Sequence, residues 1–532
     1  MRGAIISGSC GASLLWLTLG ACGGSDEVAS KNDSAKASTA PQDASSGGGD
    51  SEGNDSEGGD SQGGDKAEAE DSERSAGSGP MEESLDGDVD AGTAMVSEPA
   101  AAESPASEGW GPAVRIADSS GPFSVNAAID VNGNAVAAWT DLFDELEGVY
   151  ASYYDAAAGT WAPATLVERA DRPVRAVAPQ VGLDARGNAM ILWHRETSDL
   201  VSSEIWGNRY DVETRAWAGA ERVSSGNGAL AELVVDPSGD ATGLWATFDG
   251  LSISLLASAY DGQTGKWSEA EAFEQGSVAG TSIIPIVASA PGGAAVVTWT
   301  EGDLFAGALT AQARRWVAGA GSWNSAEEVA RDTTFIGNAS LIATGAAVND
   351  AGSAFVVWED AEQDQVVTAW VNRYDEKLDA WSGGERLGHQ DMELAYLPQV
   401  AVDPMGNAMA VWAAVADERL QVWVKRYRAA EDRWEAAEVL ASDSEASCTH
   451  PQIGLDEVGN ATLVWTKKGD DGETLWSNRY DVAKESWGAA TPLDLGDLSE
   501  GTEPWLSLAP NGEAVLVWIS WEGGVYANHY RP

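Results

Sequence analysis

Asp184-Ala185-Arg186-Gly187-Asn188-Ala189-Met190-Ile191-Leu192-Trp193 is the stretch on which the reading of this chain turns. It joins two short apolar runs, Pro179 to Asp184 and Ala189 to His194, through a turn opened by Asp and closed by Gly. The Asp side chain bonds amides ahead of it, and Gly supplies the positive φ that closes a hairpin. A Trp stands six residues after the Gly. The same spacing occurs at Gly133/Trp139, Gly187/Trp193, Gly239/Trp245, Gly293/Trp299, Gly352/Trp358, Gly406/Trp412, Gly459/Trp465 and Gly512/Trp518. Successive Trp positions differ by 54, 52, 54, 59, 54, 53 and 53, so the chain beyond Trp110 is a repeat of eight units.

Working outward from the hairpin, each unit predicts four short strands. In the second unit the third strand is Ile205 to Asp211 and the fourth Trp217 to Val223. The third carries Trp206-Gly207-Asn208-Arg209-Tyr210-Asp211, which recurs at Trp370 to Asp375, Trp476 to Asp481 and, more loosely, Trp423 to Arg428. With period-2 alternation Trp206, Asn208 and Tyr210 share one face and Arg209 takes the other. A fourth-strand Trp follows each third-strand Trp at an offset of 11, as in Trp206 and Trp217. First strands hold a small residue at one place (Ala128, Gly182, Ala401, Gly454, Ser507), as strands converging on an axis require.

The two ends of the repeat decide between a ring and a stack. Unit eight supplies Trp505 to Leu508, Glu513 to Ile519 and Val525 to Tyr530, then stops without a fourth strand. The missing strand stands at the other end, where Trp110-Gly111-Pro112-Ala113-Val114-Arg115-Ile116 matches fourth strands such as Trp161-Ala162-Pro163-Ala164. The expected fold is therefore all-β: an eight-bladed β-propeller of four-stranded blades over residues 109–532, closed by an N-terminal strand. Most of the 24 Trp then belong to blade packing and not to a ligand platform. Through Gly187-Asn188-Ala189-x-x-x-Trp193 and Asn208-Arg209-Tyr210-Asp211 the region resembles the propeller-forming repeats of bacterial surface lipoproteins. It is similar in outline to sialidase-type propellers. Their Ser-x-Asp-x-Gly-x-x-Trp box places Asp two residues before Gly, however, and here Asp130 stands three before Gly133.

Upstream of the repeat the composition changes twice. Met1-Arg2 and the apolar run Ala4 to Leu19 read as a signal sequence too short to span a bilayer comfortably. The run ends in Leu19-Gly20-Ala21-Cys22, which resembles the lipobox of bacterial lipoproteins. That resemblance implies removal of residues 1–21, acyl chains such as palmitate on Cys22 and, with Gly23 following, sorting to a Gram-negative outer membrane. The alternative is an ordinary secretory signal with Cys22 incidental. Residues 22–108 predict a disordered acidic tether, since Gly23 to Glu108 contains no Phe, Trp, Tyr or Ile. The formal net charge of -53 argues against nucleic acid and against direct attraction to anionic headgroups, leaving the acyl chains as the membrane contact. Besides Cys10 and Cys22 the chain has only Cys448, so no internal disulfide is expected in the folded part.

Residues that recur from unit to unit are structural by default, including Arg209, Arg373, Arg426 and Arg479. No His-x-His or Cys-x-x-Cys spacing occurs, and no cofactor is identified. The unrepeated chemistry is acidic. Loops after the second strands are expected to carry Asp141, Asp144, Glu145 and Glu147; Glu359, Asp360, Glu362 and Asp364; and Asp470, Asp471 and Glu473. Such clusters suit Ca²⁺ or a cationic partner, but the regular Asp-x-Asp-x-Asp-Gly spacing is missing, and acidic tips also serve solubility. Trp521, Tyr396 and Phe335 are the less repetitive loop aromatics and candidate ligand contacts. The expected function is a monomeric, lipid-anchored binding or scaffold module that holds a protein or glycan at the outer membrane. A carbohydrate-active hydrolase or lyase on the same propeller, or a structural envelope protein, are the alternatives.

Overall fold

A computed structural model describes residues 109–532, except 120–121, 144–145, 170–174, 197–202, 225, 249–252, 275–284, 304–307, 317–321, 333–341, 362–366, 389–393, 417, 471, 494–503 and 521–522. The signal sequence, Cys22 and the tether lie outside the described residues. Eight antiparallel sheets follow one another, each a blade; in seven the strands stand in sequence order, and in the last the N-terminal segment is added at the outer edge. Blade 2 is typical: Arg175–Leu183, Ala189–Glu196, Ser203–Asp211, then the short pieces Ala216–Trp217 and Glu221–Arg222. The eight-bladed ring expected from the repeat is what the chain forms.

Each inner hairpin turns as its sequence dictates. Asp184 Oδ1 accepts from the amides of Arg186 and Asn188, at 2.9 and 3.0 Å, while Oδ2 accepts from Asn188 Nδ2 at 2.7 Å. Asn188 Oδ1 in turn accepts from Val212 N at 3.0 Å, tying the inner hairpin to the outer one. The turns also interlock around the ring. Gly239 of blade 3 has φ +94°, and a Cβ there would lie 2.9 Å from Asp184 Oδ2 of blade 2. The position demands glycine for its backbone and for its space.

One expectation needs correcting. The fourth strand is not continuous from Trp217 to Val223; both pieces pair with the third strand, Tyr210 opposite Trp217 and Trp206 opposite Arg222, and the chain bows out between them. The reason lies in Asn208. Its side-chain oxygen accepts from Gly219 N at 3.0 Å, replacing a backbone partner, and its Nδ2 donates to Val167 O of blade 1 at 3.1 Å. The repeated Asn is thus a clasp between blades. Asn372 does the same, to Gly383 N and Val329 O.

The ring closes through the N-terminal segment. Gly109–Trp110 and Val114–Ala117 pair with the last strand, Val525–Arg531, with Trp110 opposite Tyr530 and Val114 opposite Ala527. On the inside, Trp505 Nε1 of blade 8 donates to Ala127 O of blade 1 at 2.9 Å. Blade faces meet through the second-strand tryptophans, which are 0–3% exposed in all eight blades.

The recurring Arg-Tyr pair builds an outer belt. Arg209 lies over Tyr260 of the next blade, Arg315 over Tyr374, Arg373 over Tyr427, Arg426 over Tyr480 and Arg479 over Tyr530, at 3.1–5.7 Å from the ring centroids. At the closure His529 takes the arginine's place and stacks on Tyr154 at 4.7 Å; between blades 1 and 2 Tyr153 meets Tyr210 at 5.1 Å. Arg373 also pairs with Asp432 at 2.7 Å, and Arg426 with Glu485 at 3.8 Å. Asp432 and Glu485 have φ of 51° and 49°, so ion pairing offsets a left-handed backbone at those turns. The reading of these arginines as structural holds.

Candidate functional site

Beyond its buried Trp, each second strand runs on toward the hairpin that joins it to the third strand, and here the repeat lapses. Successive residues point to opposite sides of a blade. The first residue after the Trp faces the following blade and the second faces the preceding one, as the contacts of Glu359 and Arg195 below show. Thr recurs directly after the Trp as Thr140, Thr300 and Thr466, and the positions that vary in charge are Asp141 in blade 1; His194, Arg195 and Glu196 in blade 2; Glu301 in blade 4; Glu359 and Asp360 in blade 5; and Lys467 and Lys468 in blade 7.

Asp141, Glu359 and Asp360 were expected in loops, and that expectation is corrected. They lie in strands, Ala135–Phe143 and Ala354–Ala361, because the hairpin ladders run past the Trp. Asp141 is 8% exposed, and its Oδ1 has no hydrogen-bond partner among the described residues. Glu359 is equally buried and accepts from Leu397 N of blade 6 at 2.7 Å. Burial pushes its carboxyl up to about 7, against the opposing effect of that amide. Tyr396, also in a strand (Ala395–Val402), has its phenol raised by burial and then by the charge of Glu359. Asp470 is exposed at the blade 7 hairpin tip. Asp144, Glu145, Glu362, Asp364, Asp471, Trp521 and Phe335 lie outside the described residues. The acidic groups therefore share one end of the ring but belong to blades 1, 5 and 7.

Blade 2 holds the cluster that spacing alone did not single out. Arg195 pairs with Glu168 of the blade 1 fourth strand, both side chains 8% exposed, and its guanidinium lies 4.4 Å from the Trp206 ring centroid. Glu168 Oε2 also accepts from Trp193 Nε1 at 2.8 Å. On the opposite side of the strand His194 is 1% exposed; neither ring nitrogen has a hydrogen-bond partner among the described residues, and Nε2 lies 3.7 Å from Glu196 Oε1. The available signal was His194-Arg195-Glu196 itself, the one place after a second-strand Trp where the sequence sets a His and both signs of charge side by side.

In blade 7, Cys448 and His450 also lie in a strand, Ser447–Leu455, and not in a loop. Burial raises the Cys448 thiol, which disfavours the nucleophilic thiolate, and burial also lowers the His450 imidazole. Lys467 pairs with Asp443 at 2.6 Å, and Lys468 with Glu473. Among the described residues no three His, Cys, Asp or Glu side chains are grouped to hold a metal ion.

Fold and rim together define an eight-bladed β-propeller whose repeated residues build the ring and whose unrepeated polar residues gather at one end. Among solved structures it is similar to an ulvan lyase of a new polysaccharide lyase family, at 10% identity over 78% of this chain and 94% of that one, with a TM-score of 0.46. It is also similar to the β-propeller domain of the Trilobed protease from Pyrococcus furiosus, at 12% identity over 70% and 96% of the two chains, with a TM-score of 0.38. A protein of unknown function from Dyadobacter fermentans is similar at 12% identity over 67% and 94%, with a TM-score of 0.39. No family model and no curated protein matches the chain.

Proposed function

We propose that this chain is a lipid-anchored, extracytoplasmic binding or scaffold protein that holds a protein or glycan on the hairpin end of its propeller. The observation that carries the reading is a division of labour. The recurring Arg, Tyr, Asn and Trp residues are committed to blade junctions, whereas the unrepeated polar residues are arrayed around one end of a rigid ring. A rigid scaffold with variable loops is the usual basis of a recognition surface. A glycan array probed with the chain lacking residues 22–108 should give a restricted set of bound glycans. Turnover of any bound glycan would sink the non-catalytic reading.

For the anchor, Cys22 carries the acyl chains and the acidic tether gives reach from an outer membrane. Cys22→Ser should move the protein from the membrane fraction to the soluble fraction. Unchanged partition would refute lipidation.

A further inference from the structure

The seam between blades 3 and 4 lacks one member of the outer belt, and Arg209 shows what that member does. Its guanidinium donates to Asp184 Oδ2 of its own blade at 3.2 Å and to the Gly239 carbonyl of the next blade at 3.4 Å. It also lies 5.7 Å from the Tyr260 ring centroid. Arg479 repeats the arrangement between blades 7 and 8, with Asp456 at 3.6 Å, the Gly512 carbonyl at 3.4 Å and the Tyr530 ring at 4.5 Å. A carboxylate, a turn carbonyl and an aromatic face thus make one seat for a guanidinium.

Blade 3 keeps the seat but not the arginine. Ala259 stands opposite Thr242 as Arg209 stands opposite Met190, and Trp316 stands opposite Ala295 as Tyr260 stands opposite Ala241. Trp316 packs on the core between blades 3 and 4. Gly293, at φ +95°, lies against Asp236 as Gly239 lies against Asp184. The carboxylates here are less satisfied than in blade 2. Asp184 Oδ2 accepts from both Asn188 and Arg209, but blade 3 has Asp240 in the place of Asn188. Asp236 Oδ1 is taken by the turn amides and Asp240 Oδ1 by Gly262 N. Among the described residues nothing donates to Oδ2 of either, and neither forms an ion pair. The balanced set Asp184, Asn188 and Arg209 has become two carboxylates and an alanine. Ala259 and Asp240 are exposed, so the place is open to solvent.

We propose that this seam binds a guanidinium group from outside the chain, carried by an arginine of a partner protein or by a free guanidinium compound. The group takes the position of the missing arginine, donating to Asp236 Oδ2 and the Gly293 carbonyl and resting on Trp316. Trp is the strongest of the aromatic rings toward a cation, and the planar guanidinium serves carboxylate and ring together where a compact ammonium does not. Asp240 supplies a second negative charge, and the net charge of -53 favours approach of a cationic partner. The seat lies beside the inner turns, at the opposite end of the blades from the hairpin rim, so it does not depend on what the rim holds.

Saturation-transfer NMR on the full chain tests this, with N-acetyl-arginine methylamide as the probe and its uncharged citrulline counterpart as the control. Physiological ionic strength screens diffuse attraction to the acidic N-terminal region. Transfer is expected to the arginine side chain and not to citrulline. Ala259→Arg fills the seat from within, at a register where five other blades already carry Arg, so it should lose the transfer and melt at a higher temperature. Asp240→Asn restores the blade 2 pattern and should weaken the probe about two- to fivefold, the span of an exposed charge pair. Butylguanidinium separates the sources: weaker binding than the probe points to an arginine in a protein, equal binding to a free compound, and both uphold the seat. Equal transfer to citrulline, or transfer that persists in Ala259→Arg, would overturn the proposal. So would a lower melting temperature for Ala259→Arg, because the seat would then not accept a guanidinium.

Discussion

Deletion of residues 109–117 is expected to abolish the single cooperative unfolding transition of the propeller, the largest effect predicted for this chain. The segment supplies the outermost strand of blade 8, so its loss leaves Val525–Arg531 as an open edge. It also removes Trp110, which packs edge-on against Tyr530 at 5.4 Å and donates to Ser477 Oγ of blade 7 at 3.0 Å, and it removes the buried Ile116. Trp110 is half-buried, so its loss costs less than the about 3–5 kcal/mol of a fully buried Trp, and with the about 2–5 kcal/mol of buried Ile116 the combined loss is on the order of 5 kcal/mol. That is comparable to the whole stability of an ordinary domain. Calorimetry provides the measurement, with deletion of 22–108 as the control that leaves the strand in place. A melting temperature equal to that of the control would mean that the ring holds without its closing strand.

The second large effect is expected from Arg195→Met. Its guanidinium is the partner of Glu168, and both side chains are 8% exposed. Removing one member of a buried pair strands the other charge, at a cost of about 3–5 kcal/mol, whereas replacing both is often close to neutral. The urea midpoint of Arg195→Met should therefore drop sharply, and the double variant Arg195→Met/Glu168→Gln should recover most of the loss. Glutamine can still accept from Trp193 Nε1, which now donates to Glu168 at 2.8 Å. A single variant as stable as the native chain would show that water reaches Glu168.

Much of the ring was legible because its signals are local. Asp184 to Asn188 specifies a turn from side-chain bonds within five residues, and the structure shows those bonds. The fourth strand was legible as an element but not as two pieces. Its break depends on Asn208 reaching both Gly219 and a carbonyl of the preceding blade, and no spacing rule encodes that reach. The rim was read least well. Asp141 and Glu359 look like acidic loop tips in a linear chain, and they are buried only because the hairpin ladders continue beyond the Trp and a neighbouring blade covers them.

By itself the sequence determined the number of blades, the turn chemistry and the strand that closes the ring. Those follow from periodicity, φ requirements and the matching of two chain ends. Only the tertiary structure decided that Arg209 belongs to Tyr260, that Arg195 belongs to Glu168 and that Asn208 clasps the Val167 carbonyl of the preceding blade. The physical reason is common to all three. These contacts cross between blades, joining side chains far apart along the chain, and their burial is set by how closely one blade packs on the next.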